Sequence, residues 1–330
     1  MVEVSVIILN YNGLEFVDNC LKSVFGSSYS DFEVIFVDNA SSDGSLTHVR
    51  KKFSSQPNLK LVINNKNYGF ALGNNVGAEQ ASGKYLVFLN IDTVVDSNWL
   101  SALVNAMDNY PTVRAAQCKL LLMDNPKLID SAGHDMDWFG IAYVRGHMAK
   151  DEGQYDKINQ IFGATGAALI VRADVFKKLG GFDKDFFMLF EEDDLCWRTW
   201  LMGFKVLFIP KAIVFHKSAA LRSRESEYKN LFLSRRNRTV SLIKNYSLKN
   251  LIRFLPINLG LLFMITFFTE HKLDYLKAYT NSLFWIAQNS RNILLKRRLV
   301  QSTRQVSDAF LINLGILRKP VTREMIKNGY

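Results

Sequence analysis

A chain of 330 residues, 48% hydrophobic and 22% charged, is long enough to bury a full α/β core and too apolar to be disordered. Its three cysteines, Cys20, Cys118 and Cys196, are odd in number and widely spaced, which excludes a disulfide framework or zinc knuckle and fits a reducing compartment. The net charge of +10 is unevenly spread: residues 217–330 hold 21 Lys and Arg against 6 Asp and Glu, and residues 1–216 hold 20 against 25. The basic balance therefore belongs to the C-terminal third, where nucleic acid, an anionic membrane and an anionic substrate are the partner classes to weigh.

The first strand-like run, Val4 to Leu9, begins almost at once, so no secretory signal peptide is expected. Leu14, Val17, Leu21, Val24 and Phe25 then recur at helical spacing. Glu33 to Val37 reads as a second strand, closed by an Asp38 to Gly44 loop with helix-capping chemistry. Leu59 to Ile63 is a third strand, 70–81 a helix and Tyr85 to Leu89 a fourth strand. Near-continuous apolar strands alternating with helices indicate a mostly parallel sheet covered on both faces.

Trp99 to Asn109 reads as a helix and Ala115 to Leu122 as a strand. Asp124 to Ile161 is polar and aromatic without clear period, a long excursion or small β-ribbon over the sheet. A strand over 167–171, helices over 173–179 and 191–202, and a short strand over 204–209 follow. The charge shift puts a boundary near Lys217, and the remainder reads as helical and basic. Within it, Phe254 to Thr269 carries no charge but would span only roughly 24 Å as a helix, with Pro256 in its first turn. That is short of the ~30 Å hydrocarbon core, so a buried or interfacial helix fits better than a full span. A second apolar stretch at Leu283 to Ile286 precedes Lys296-Arg297-Arg298, and apolar helices between basic clusters suit an anionic membrane surface. A helical hairpin packed on the rest of the protein is the plainer alternative. Nucleic acid is the weaker partner, because the cations interleave with apolar residues rather than forming one polar stripe.

Three strands end in polar residues: Asn10-Tyr11-Asn12, Asp38-Asn39 and Asn90-Ile91-Asp92. Ligands of open parallel sheets bind in the crevice at such ends. Asp38 can accept hydrogen bonds from a base or ribose, or cap the next helix, although Asp43 is also available as the cap. Asp92 can hold a divalent cation against a diphosphate, or cap the helix before Trp99. Gly69, Gly73 and Gly77 suit close helix packing or phosphate contact, and match neither the dinucleotide fingerprint nor the P-loop. Four consecutive carboxylates, Glu191 to Asp194, sit between aromatic residues, where mutual repulsion raises a pKa as a general base requires. They also suit a helix N-terminus, with Asp194 bonded to backbone or to Arg198. His216 ends an apolar run and is either structural or a metal ligand.

In this order, Val4 to Asn12, Val37 to Gly44, Asn67 to Ala71, Gly83-Lys84-Tyr85, Phe88 to Thr93, Gly180 to Asp183 and Phe186 to Arg198 resemble the family 2 inverting glycosyltransferases, over roughly residues 3–220. The phrase around Asn90 and the FFMLFEEDDLCWR segment look most like the rhamnosyltransferase-like branch. The resemblance implies an α/β GT-A fold, a catalytic domain over 1–220 and a basic helical extension over 221–330. It puts Asp38 at the nucleobase, and the implied donor-binding set is Asn10, Tyr11, Asn12, Asp38, Asn39, Asn67, Gly69, Asn75 and Asn90. Asp92 is the surviving acid of the Asp-X-Asp metal motif, whose first position is Asn90 here, and His216 matches a metal-binding His; the metal implied is Mg²⁺ or Mn²⁺. The family's Glu-Asp pair falls on Glu191-Glu192, which makes Glu192 the base and Glu191 its competitor. Gly163 to Gly166 and the Trp138 region line the sugar and acceptor side.

A single in-line displacement follows from that resemblance, moving a sugar from a nucleoside-diphosphate donor (dTDP-rhamnose or a UDP-sugar) to a glycan or lipid-linked acceptor. The expected location is cytoplasmic, peripheral on the inner face of the cell membrane; a homodimer is compatible with the sequence. The alternative is a non-catalytic nucleotide-sugar-binding or scaffold protein, for which the acidic cluster is purely structural.

Overall fold

Residues 2–218, 227–267 and 272–320 are described by the computed structural model. Strands β1 (Val4–Asn10), β2 (Phe32–Asp38), β3 (Leu59–Ile63) and β4 (Tyr85–Asn90) alternate with helices α1 (Leu14–Phe25), α2 (Ser45–Lys52) and α3 (Gly69–Glu79). Next come β5 (Thr93–Val95), α4 (Trp99–Asn109), β6 (Val113–Leu122), β7 (Asn125–Ser131), β8 (His134–Asp137), β9 (Ala142–Val144) and β10 (Asn159–Gln160). β11 (Ala168–Arg172), α5 (Ala173–Lys178), α6 (Glu191–Leu201) and β12 (Lys205–His216) complete the part nearest the sheet. Helices α7 (Glu227–Asn245), α8 (Leu248–Phe267), α9 (Lys272–Gln288), α10 (Ser290–Thr303) and α11 (Asp308–Asn313), then β13 (Leu317–Arg318), follow.

The central sheet has the order β10-β12-β6-β11-β4-β1-β2-β3. β1 to β4 pair in parallel, in one unbroken register from Val4↔Phe32 to Asn10↔Asp38. Their side chains alternate between two apolar layers: Val4, Val6 and Ile8 join α1 and α4, while Ile7 faces the other way with Ile35, Val37 and Phe88. Both faces are covered, which is why these strands read as continuous apolar runs. On the second face α3 lies close because it carries glycine: a Cβ at Gly73 would meet Leu9 at 2.7 Å, and one at Gly77 would meet Ile7 at 2.6 Å.

The sheet is less parallel than the sequence suggests. β11 runs antiparallel between β4 and β6, and β5, β7 and β10 are antiparallel additions. β11 is reached from the 124–161 excursion rather than through a crossover helix, so nothing imposes the parallel sense. That excursion is a ribbon: β7 pairs with β6, and β8 and β9 form a small sheet that the C-terminal β13 joins. The stretches on either side of Pro210 are one strand, β12, with a register shift between Ile209 and Ile213. Helix α2 and the short β5 have no periodic signal in the sequence.

α8 runs through Pro256 rather than starting near it. Its charge-free stretch extends to Thr269, and 268–271 lie outside the described residues, as do 219–226 beside the boundary read near Lys217. No helix among the described residues is long and apolar enough to cross a membrane. Leu242, Tyr246, Phe254, Val300 and Leu311 share one apolar cluster with Trp197 and Trp200 of α6. A buried ionic network reinforces that packing: Lys244 Nζ reaches Asp183 Oδ2 (2.6 Å) and Asp194 Oδ2 (3.0 Å), and Lys296 also pairs with Asp183. Burial works against its charge, but Lys244 and Lys296 hold the Asp183 carboxyl well below the usual range.

Candidate active site

The C-terminal ends of β1, β2 and β4 open into a cleft of about 940 Å³, lined also by residues of β8, β12, α6 and the turn before α6. Tyr11, Asn12, Asn39, Asn67, Gly69 and Asn90 line it together with Asp92, His216, Glu191 and Glu192. Asn39 organises the rim: its Nδ2 donates to Asn67 Oδ1 (2.9 Å) and its Oδ1 accepts from Asn64 Nδ2 and the Tyr68 amide. Asn12, at φ 52°, accepts from the Ser42 amide through Oδ1 (2.7 Å).

Asn10, Asp38 and Asn75 lie behind the lining. Asn10 Nδ2 donates to Asp38 Oδ1 (3.1 Å) and to the Ser41 and Ser45 hydroxyls, and Asp38 Oδ2 accepts from the Ser41 amide. The helix-capping work falls to Asp43, which accepts from the Ser45 and Leu14 amides. Asn75 exchanges two hydrogen bonds with the Phe182 backbone (2.8 and 2.9 Å), tying α3 to the loop before α6. Trp138 stands away from the cleft, stacked on Phe254 of α8 with its indole N–H donating to Leu317 O.

Asp92 follows β4 and is 2% exposed. Asp96, not Asp92, accepts from the Asn98 amide at the start of α4. The His216 imidazole, brought alongside by β12 pairing with β5, points Nε2 at Asp92 Oδ1. Their 3.4 Å separation is an ion-pair distance without hydrogen-bond geometry, so this Oδ1 has no donor. His216 Nδ1 lies 2.7 Å from Asp130 Oδ2 of β7. Burial disfavours the imidazolium, but Asp130 and Asp92 outweigh it and raise His216 to about 9. An orphaned carboxylate oxygen beside an imidazole nitrogen fits a divalent cation of the Mg²⁺ or Mn²⁺ kind. No group of three or more metal-type side chains gathers among the described residues, so a cation here would draw its other ligands from water and diphosphate.

The acidic run opens α6. Phe190, at φ 76°, precedes Glu191, and the four carboxylates occupy the first turn, where the helix dipole favours them. They diverge from there. Asp194 is structural: its carboxylate meets Arg198, Lys244, Ser241 and Asn245. Asp193 Oδ1 bonds His134 Nδ1 (2.9 Å). Glu191 is 2% exposed with Oε2 unpartnered, and burial together with the Glu192 charge pushes it well above the usual carboxylate range. Glu192 is partly buried, and its Oε1 accepts from the Gly166 amide (2.8 Å). Burial, with Asp193 adding repulsion, raises Glu192 to about 7. A Cβ at Gly166 would run into Glu192, and one at Gly163 into Asp193, which accounts for both glycines.

Asp130 and His134 are cleft residues without a signal of their own in the sequence. Both come from the aperiodic 124–161 stretch, and only the Asp-Ser-Ala-Gly-His cluster of turn formers and ionisable groups marks the place.

A mixed sheet whose parallel strands β1, β2 and β4 end at a carboxylate-lined crevice defines a ligand-binding α/β architecture. Solved structures carry the same fold: GalNAc-T7 with UDP, GalNAc and Mn²⁺ superposes with a TM-score of 0.63 at 16% identity, over 88% of this chain and 58% of that one. S. aureus TarS 1-349 in complex with UDP-GlcNAc gives 0.59 at 16% identity, over 91% of each chain. At such identities the likeness is one of fold. The family model for glycosyl transferase family 2 matches residues 5–180, and the chain belongs to that family. It is 30% identical over 203 residues to the O-antigen biosynthesis protein RfbC of Myxococcus xanthus, which covers 59% of this chain and 16% of RfbC. The chain spans between 16% and 35% of the length of the first curated relatives it matches.

Proposed function

We propose that this chain transfers a sugar, with inversion, from a nucleoside-diphosphate donor to a hydroxyl of a lipid-linked or cell-surface glycan. The observation that carries the reading is Glu192: a carboxylate reaching the cleft, raised to about 7, in the cavity that Asp92 and His216 also line. A base with that value is half ionised near neutrality and still a useful proton acceptor. In this reading Asn39, Asn67 and the strand-end residues hold the nucleotide, and Glu192 takes the proton from the acceptor hydroxyl as it attacks the anomeric carbon. Glu191, the less exposed of the two and with Oε2 unpartnered, is the harder to ionise, so the adjacent carboxyls do not both carry charge. A divalent cation held by Asp92 and His216 would supply charge neutralisation to the departing diphosphate. His216 would serve it through Nε2, the cation taking the place of the proton held there in its absence, because Asp130 holds Nδ1.

The donor is a UDP-sugar or dTDP-rhamnose. RfbC, by name, acts in O-antigen biosynthesis, and TarS was solved with UDP-GlcNAc; both support this substrate class. Release of nucleoside diphosphate from a panel of UDP-, dTDP- and GDP-sugars by the purified chain tests it, and no release from any member would overturn it.

The acceptor side belongs at a membrane surface, and the protein is placed peripherally on its cytoplasmic side. Leu273 is 73% exposed and Leu299 70%, and Leu299 follows directly on Lys296-Arg297-Arg298. Flotation with anionic vesicles but not with neutral ones is expected; equal behaviour with both would remove the electrostatic part.

A further inference from the structure

The turn that delivers α6 to the cleft has an unusual backbone. Phe187 (φ 65°, ψ −63°), Leu189 (φ 72°) and Phe190 (φ 76°) all have positive φ, although none is glycine. The Met188 amide donates back to Phe186 O (2.8 Å), closing a γ-turn of the strained hand around Phe187. Side chains of this kind disfavour the left-handed region, and such a run persists only where its surroundings over-determine it. Phe187 to Phe190 line the cleft, and Glu191 and Glu192 follow immediately.

What holds the turn comes from the C-terminal helices. Asn237 of α7 is fully buried, and its Nδ2 donates to three carbonyls of the turn: Phe186 O (3.0 Å), Met188 O (2.9 Å) and Leu189 O (2.7 Å). Its Oδ1 accepts from Arg236 Nε (2.9 Å), which fixes the amide so that the donor end faces the turn. The same guanidinium donates through Nη2 to Asp185 O (2.7 Å) and Phe186 O (2.9 Å). Across the turn, the Ala71 amide of α3 donates to Phe187 O (3.1 Å). One turn along α7 Ser241, and two turns along Lys244 and Asn245, grip Asp194. The helix thus holds the backbone before Glu191 and a side chain after Glu192, and its Ser234 lines the cleft itself.

We infer that Asn237 is a positioning residue for the transfer, acting through the Phe186–Leu189 carbonyls to set where Glu192 meets the acceptor hydroxyl. α7 is then part of the reaction centre rather than a detachable anchor. This rests on the reading of Glu192 as the base. Arg236 also reaches Phe186 O, but among the described residues Asn237 is the one side chain that donates to Met188 O and Leu189 O, so an alanine at 237 removes the restraint on the strained half of the turn.

The test uses the full chain and the donor selected by the panel, with water as acceptor and nucleoside diphosphate release as the readout. Asn237→Ala is expected to lower kcat by about 10²-fold, the cost of a misplacement near 1 Å, while donor KM and the affinity for the matching UDP or dTDP change little. The acidic limb of its kcat profile moves down in pH, as Glu192 gains water. A merely structural role would lower the active fraction and leave the pH limb in place. Glu192→Gln is measured in parallel. If it is inactive while Asn237→Ala retains wild-type kcat, the positioning role falls alone; if Glu192→Gln is active, the base assignment beneath it falls. Should Asn237→Ala bind no nucleotide, Asn237→Ser, which keeps one donor, takes its place, and loss of binding in both overturns the inference, because Asn237 would then support the whole cleft.

Discussion

Glu192→Gln separates catalysis from stability. The amide keeps the shape and the oxygen that accepts from Gly166, and removes only the charge. Turnover should fall by about 10²–10⁴-fold, the range a positioned general base supplies, with nucleotide affinity unchanged. The same substitution should stabilise the fold at neutral and alkaline pH. Glu192 ionises at about 7 in the folded protein against the ordinary 4.5, so its ionised form is disfavoured there. Below pH 4.5 the carboxyl is neutral in both states and the substitution has no electrostatic effect. Between 4.5 and 7 the unfolded chain ionises first, and the wild type loses stability relative to the variant. Above 7 the difference levels off near 3 kcal/mol, from about 1.4 kcal/mol per pKa unit. For a chain of this size that is a rise in Tm of about 2–6 °C. Thermal unfolding of both proteins at pH 4.5 and pH 8 measures it. A gain of equal size at both pH values, or none at pH 8, would refute the placement of a destabilised carboxylate at 192.

Asp92→Ala should abolish the metal-dependent part of nucleotide binding. Titration calorimetry with and without EDTA should differ for the wild type and agree for the variant, and a wild-type affinity indifferent to EDTA would remove the metal role. Lys244→Met leaves Asp183 and Asp194 buried with one cation fewer, at a cost of about 3–5 kcal/mol in denaturant unfolding. The folded pKa of both aspartates is depressed, so their contribution in the wild type is present above the ordinary carboxylate range and fades as pH falls below about 4. A loss under about 1 kcal/mol at pH 7 would mean that water replaces the lysine.

The parts that were legible in the sequence are those whose signal is local. β1, β2 and β4 are apolar at nearly every position because both faces are covered, and their polar ends announce the crevice. Glycines 73 and 77 could be read for packing because a helix four residues along repeats the same face. The antiparallel sense of β11 was not legible, since strand direction depends on how the chain returns and not on strand composition. Asp130 and His134 become site residues only once β7 and β8 are folded beside β12 and α6. Asn237 is the extreme case: its partners are backbone carbonyls 48 to 51 residues away, which leave no trace in side-chain chemistry. The charge division gains a different sense from the same contacts. The basic C-terminal third places Arg236, Lys244 and Lys296 against Asp183, Asp194 and the turn before α6, so part of its excess is spent inside the protein.

The most direct test of the central claim is the anomeric configuration of the sugar first released from the donor with water as acceptor, followed by proton NMR before mutarotation. A single displacement assisted by Glu192 predicts the anomer opposite to that in the nucleotide sugar, and initial appearance of the donor's own anomer would contradict it.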